Sequence, residues 1–98
     1  VIPTIHVEDS AQGDLEAAVR WYKNIRPGLQ DEYRLCVRAA LHRISRYPEA
    51  YPKVGKRLRR ALIDRFPFAV FYLQDADLIR VFAVLHTHRS PRFWKQYD

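Results

Sequence analysis

The chain has 98 residues, 48% hydrophobic and 13% aromatic, enough apolar side chain for one domain with a packed core and too much for a disordered polymer. Its formal charge is +6, and the second half carries all of it: residues 1–50 hold seven Lys/Arg and seven Asp/Glu, residues 51–98 ten Lys/Arg and four Asp. A neutral half joined to a cationic half points to an anionic partner, and no run approaches the ~20 apolar residues of a membrane span.

Ile2 to Val7 is a short β-branched run, which Pro3 limits to an edge strand or a strand start. Glu8-Asp9-Ser10 then opens a helix, with acids near the positive end of its dipole. Ala11, Leu15, Ala18, Val19, Tyr22 and Ile25 recur at helical spacing. Trp21 and Tyr22 are expected to pack in the core and against a second helix. After Arg26-Pro27-Gly28 comes another stripe, Leu29, Tyr33, Cys36, Val37, Ala40, Leu41, Ile44 and Tyr47. Two amphipathic helices across so short a break imply an antiparallel helical hairpin. Pro48 ends the second helix, and the sequence to Pro52 reads as an extended connector. The lone Cys36 has no partner for an internal disulfide and reads as a helix packing position. No basic-then-apolar secretory signal is visible at the start, so a reducing cytoplasm is the expected location.

From residue 57 the period changes to two. Three strands are predicted, Arg57–Ile63, Phe68–Leu73 and Leu78–Leu85, with connections short enough for hairpins. The middle run is apolar on both faces, as a central strand should be. In the last run, strict alternation puts Ile79, Val81, Ala83 and Leu85 against the helices. It leaves Arg80, Phe82, Val84 and His86 on a half-open face. The predicted fold is therefore α+β, in the order β-α-α-β-β-β: a helical hairpin packed on a small antiparallel sheet. Residues 1–98 form a single domain, with the edge strand and hairpin in 1–50 and the basic sheet and tail in 51–98.

Two constellations carry chemistry. Lys53, Lys56, Arg57, Arg59, Arg60 and Arg65 place six cations in 13 residues, uninterrupted by an acid until Asp64. Such a cluster binds phosphate with strong salt dependence; the same cations also suit a solvated edge strand. Arg80 and His88 extend the candidate nucleic-acid-binding set. His86 and Arg89 stand just past the last strand. A histidine there can act as general acid or base on a phosphodiester, with arginines stabilising the transition state; it can equally cap a turn. Arg80 and His86 lie six residues apart, roughly 20 Å along a strand, too far to grip one phosphate. His86 therefore needs Arg60, Arg65 or Arg89 as catalytic partners. No histidine pair has zinc-site spacing, and no cofactor or metal is expected. Trp94 can stack on bases, but more often such a residue folds back to close a small core.

Four segments resemble the RelE/ParE superfamily of bacterial type II toxin–antitoxin toxins: Asp14-Leu15-Glu16-Ala17-Ala18 with Trp21-Tyr22; Arg26-Pro27-Gly28-Leu29; Arg59-Arg60-Ala61-Leu62 through Phe66-Pro67-Phe68-Ala69-Val70-Phe71-Tyr72; and Ala83 to Pro91 with Trp94. The resemblance implies a growth-inhibiting toxin neutralised by a cognate antitoxin that wraps it. One branch of the superfamily, similar to RelE, cleaves messenger RNA on the ribosome. It would use Arg60 or Arg65, His86 and Arg89 here. The other, similar to ParE, poisons DNA gyrase without being a nuclease. The first expectation is a ribosome-dependent endoribonuclease, with the gyrase poison as the alternative and a basic protein-binding adaptor third. An exposed Phe82/Val84 strip beside the cationic edge is the expected docking place for an acidic antitoxin segment.

Overall fold

A computed structural model describes residues 3–98, and its elements follow in the predicted order. Strand β1 (Thr4–Val7) leads into helix α1 (Asp9–Ile25) and helix α2 (Leu29–Arg46). Strands β2 (Arg59–Leu62), β3 (Phe68–Asp75) and β4 (Leu78–His86) follow, then a short helix α3 (Arg92–Lys95). Ile2, placed in the first strand from sequence, lies outside the described residues. The sheet order is β1-β4-β3-β2. The β2–β3 and β3–β4 pairs are antiparallel, but β1 joins β4 in parallel, with Val7 opposite Val81. The sheet is thus mixed, not antiparallel throughout. The helical hairpin is the crossover that lets the first strand run beside the last in the same direction.

The hairpin turns at Gly28, whose φ of +97° is a left-handed conformation that costs a side-chain-bearing residue most. Glu32, in the first turn of α2, takes Arg26 at 2.8 Å and Arg65 at 2.7 Å. The hairpin turn and the β2–β3 turn are thereby held to one carboxylate. Between helices and sheet, Tyr22, Tyr33 and Phe66 pack with edge-on or tilted rings 4.9–5.3 Å apart. Ile44, Val70, Tyr72, Ile79 and Val81 complete a core from which water is excluded.

Strict alternation fails in β4. Tyr72 pairs with Val81 and Phe71 with Ala83, so Phe82 is an extra residue, a β-bulge. Before it, Ile79 and Val81 face the helices; after it, Val84 does, while Ala83 and Leu85 turn to the other side. The bulge therefore corrects the predicted faces. Arg80 and His86 lie on opposite sides of the sheet, not on one.

The far face is not open either. Residues 87–98 fold back across it: Trp94 stacks on Phe71 at 5.5 Å and 15°, and Tyr97 stacks on Phe82 at 5.1 Å and 17°. With Leu58, Ala69, Leu73, Ala83 and Leu85 they make a second core layer. Trp94 thus closes a core, as expected. The predicted Phe82/Val84 strip does not exist, since Phe82 is under Tyr97 and Val84 is buried on the helix side.

Asp98 fastens this tail. Its Oδ2 accepts the Lys56 N–H at 2.8 Å, and its Oδ1 accepts the N–H groups of Arg57 and Leu58, both at 2.9 Å. The Arg57, Leu58 and Lys56 N–H groups, helped by the Lys56 charge, draw the carboxyl down from 3.8 to about 2. Because the docked pKa lies below the ordinary value, the fastening is at full strength above about pH 4 and fades as pH falls through 2. An acid titration followed by the Trp94 indole resonance should show the tail loosening in that window. In Asp98→Asn, which lacks the charge, the signal should already be partly shifted at neutral pH.

Candidate functional site

Helix α1 presents Asp14, Ala18 and Trp21 along one face, at the spacing that stacks side chains on successive turns. Opposite them stand Pro67 and Phe68 at the start of β3, Leu85 and His86 at the end of β4, and Arg89 beyond it. Together they enclose a cleft of ≈ 630 Å³.

The cleft's back wall exists because β1 is short. After Val7 the free edge of β4 is completed by side chains of α1: Ser10 Oγ donates to the Phe82 carbonyl at 2.5 Å, and Asp14 Oδ2 accepts the Val84 N–H at 3.0 Å. Burial raises the Asp14 carboxyl pKa, against the lowering effects of the Val84 N–H and the Arg89 charge. Trp21 and Tyr22 divide. Tyr22 is core, whereas Trp21, expected to pack, is 65% exposed at the cleft mouth, with Ile25 58% exposed one turn further along.

His86 sits edge-on to Phe68 at 5.5 Å, and its Nδ1 accepts the His88 N–H at 3.1 Å. The neutral ring must then carry its proton on Nε2. The nitrogen left for chemistry is a donor, not the lone pair a general base needs.

The predicted catalytic residues lie in three places. Arg89 lines the cleft with His86. Arg65 is drawn to Glu32, in a left-handed backbone conformation of φ +70°. Arg60 is on β2, opposite Phe71, and so faces the tail side while His86 faces the helix side. Arg60 borders instead a separate depression with Arg43, Tyr51 and Asp64.

The predicted nucleic-acid-binding residues also divide. Lys53, Arg57 and Arg59 share a shallow depression with Glu49, and Lys56 is exposed in the same loop. Arg59 is partly structural, donating to the Tyr51 carbonyl at 2.6 Å. Arg80 pairs with Glu8 at 2.9 Å and lies over the Phe82 ring, holding the Glu8 carboxyl below its usual range. His88 is exposed beside His86.

Residues 5–91 match the family model described as the ParE toxin of type II toxin-antitoxin system, parDE. The chain belongs to the ParE toxin family. A solved structure titled "Chromosomal ParDE TA system from P. aeruginosa" is similar in fold, with a TM-score of 0.71. It is 13% identical, and the match covers 87% of this chain and 96% of that one. No curated protein matches in sequence.

This ParE-family chain has a further concavity that the sequence reading missed, a groove of ≈ 530 Å³ between α1 and α2. Leu15, Val19, Val37 and Leu41 make it apolar, and Arg20, Arg34 and Arg38 outnumber Glu16 along its rim. Tyr33 lies beneath, its hydroxyl buried without a hydrogen-bond partner among the described residues. All four fall on the helical stripes; Val37 is buried in the core as those stripes predict, while Leu15, Val19 and Leu41 pack against that core only partly covered, because periodicity finds a helix's apolar side without telling how much of it a neighbour covers. No helix is long and apolar enough to cross a membrane among the described residues.

Proposed function

We propose that this ParE-family protein is a growth-inhibiting toxin that poisons DNA gyrase without cleaving nucleic acid, and that a cognate antitoxin holds it in check. The observation that supports the non-nuclease reading is the scatter of the candidate catalytic groups. Cleavage of a phosphodiester needs a base and charge-stabilising groups around one phosphorus. Here His86 offers a donor nitrogen, Arg65 is paired with Glu32, and Arg60 faces the other side of the sheet. The family match favours the same branch. A poison needs only to dock, and the cleft with an exposed Trp21 beside Arg89 has the aromatic and arginine character of a docking centre.

The antitoxin is assigned to the groove between the helices in place of the buried Phe82/Val84 strip. An apolar floor under three arginines suits an acidic amphipathic segment that folds on binding. Pulse-labelling after induction separates the targets. DNA synthesis should fail first, with gyrase–DNA breaks accumulating while translation continues. An immediate arrest of protein synthesis with cleaved messenger RNA overturns the reading. Co-expression with the neighbouring antitoxin gene should restore growth and yield a complex.

A further inference from the structure

The contact that fastens the tail is a more specialised structure than a tail needs. Residues 52–60 form a tight loop, closed by the Val54 N–H to the Leu58 carbonyl at 2.8 Å and by the Arg60 N–H to the Pro52 carbonyl at 3.1 Å. Lys53 bridges to Arg59 across its base. The closure turns three consecutive N–H groups, those of Lys56, Arg57 and Leu58, toward one point, where both oxygens of the Asp98 carboxylate sit. Successive N–H groups arranged in this way are a concave anion site.

Gly55 keeps that point accessible. A Cβ at residue 55 would overlap Asp98 Oδ2 and crowd its Cγ at 2.5 Å, so a side chain there occupies the space where the anion sits. The loop also carries the exposed cations Lys53, Lys56 and Arg57. Three converging donors, a missing side chain and a cationic rim are more than is required to hold one carboxylate against solvent.

We propose that the 55–58 loop is a phosphate-binding cradle, which the Asp98 carboxylate fills in the resting protein as an internal stand-in. A phosphate oxygen offers the same acceptor geometry as a carboxylate oxygen, with more charge to meet the surrounding cations. The source is either free phosphate or a phosphodiester of the nucleic acid in the target complex. Only the second source rests on the gyrase reading; the cradle itself rests on the loop geometry. Displacement of Asp98 would free the tail, so occupancy of the cradle and docking of Trp94 and Tyr97 oppose one another.

The test compares backbone amide spectra of the wild type, Asp98→Ala, Asp98→Asn and Gly55→Ala/Asp98→Ala. Each is titrated with inorganic phosphate and, separately, with a short mixed-sequence DNA duplex. In Asp98→Ala, at least one titrant should move the amides of residues 56–58 saturably. The wild type should bind that titrant about tenfold or more weakly, because its cradle is already occupied. The double variant should lose the response. Saturation by the duplex at far lower concentration than by free phosphate identifies the nucleic-acid source, and the reverse identifies the free anion. Either supports the cradle. Three results overturn it: no response at residues 56–58 to either titrant, equal affinity in wild type and Asp98→Ala, or a response that survives Gly55→Ala. Asp98→Asn keeps the side chain's shape while removing its charge and should fall between wild type and Asp98→Ala. If tail loosening alone moved these amides, the shift would be present before titration and would not saturate. The gyrase reading is judged separately by the labelling experiment, so either can fail alone.

Discussion

Replacing His86 with alanine leaves growth inhibition within about twofold of wild type, whereas removing a general acid or base would cost a nuclease roughly 10²–10⁴ in rate. Trp21→Ala, in contrast, weakens it strongly. The contrast follows from where the two side chains sit. His86 has Nδ1 occupied by the His88 N–H and its ring edge-on to Phe68, with Arg89 as its one predicted catalytic companion in the cleft. Trp21 is 65% exposed at the mouth of that cleft, continuous with Ile25. A tryptophan at the centre of a docking surface contributes ~2 kcal/mol or more, equivalent to about 30-fold in affinity. Since Trp21 is mostly in solvent, its removal should change stability by no more than about 0.5 kcal/mol. Thermal melting of purified Trp21→Ala beside a growth assay separates a lost contact from a lost fold. A His86→Ala protein that is folded but harmless, with Trp21→Ala still toxic, reverses the assignment and restores the nuclease.

Tyr72→Ala is the largest stability effect expected, about 3–5 kcal/mol, a substantial part of the 5–15 kcal/mol typical of a domain. Tyr72 is fully buried on the interior strand β3, between β2 and β4. It packs on the helix side with Val70, Ile79 and Val81, and edge-on to Tyr51 at 6.4 Å. Its hydroxyl donates to the Pro48 carbonyl at 2.7 Å, tying the end of α2 to the sheet. Burial raises the phenol pKa well above its ordinary value, so it remains a donor throughout the neutral range. Tyr72→Phe keeps the ring and loses only that bond, costing about 1 kcal/mol. Urea unfolding of the pair resolves the two contributions, with the slope expected to be the same for both variants. Equal midpoints for the two would show that ring packing contributes little.

The elements were legible because each declares its own period: Tyr22 and Tyr33 fall on helical stripes, and the run from Phe68 to Leu73 is apolar on both faces. Pro48 and Gly28 mark breaks for local steric reasons. Pairings were less legible. A parallel partner for β1 is chosen by the path of the whole hairpin, which no window of residues contains. The Phe82 bulge was invisible because one extra residue changes no composition and leaves both neighbouring runs apolar. That single residue reassigned Val84, His86 and Leu85 to new faces, and with them the candidate site. The tail was half legible. Trp94 reads as a core plug, but nothing in the sequence says that Asp98 meets the amides of residues 56–58, about 40 positions away.

Ser10 and Asp14, which finish the edge of β4 from the side of a helix, also restrict how another chain can attach. A strand added beside β4 past Val81 would need the Phe82 carbonyl and the Val84 N–H, and both are engaged. Among the described residues the pairing edges left are β1, four residues long and preceded by Pro3, and the end of β2, whose opening residues Arg59 and Arg60 are already met by Lys53 and the Pro52 carbonyl. Short edges flanked by proline and like charges resist self-templated stacking. A sheet whose two long strands are apolar is thereby protected from aggregating through its own backbone.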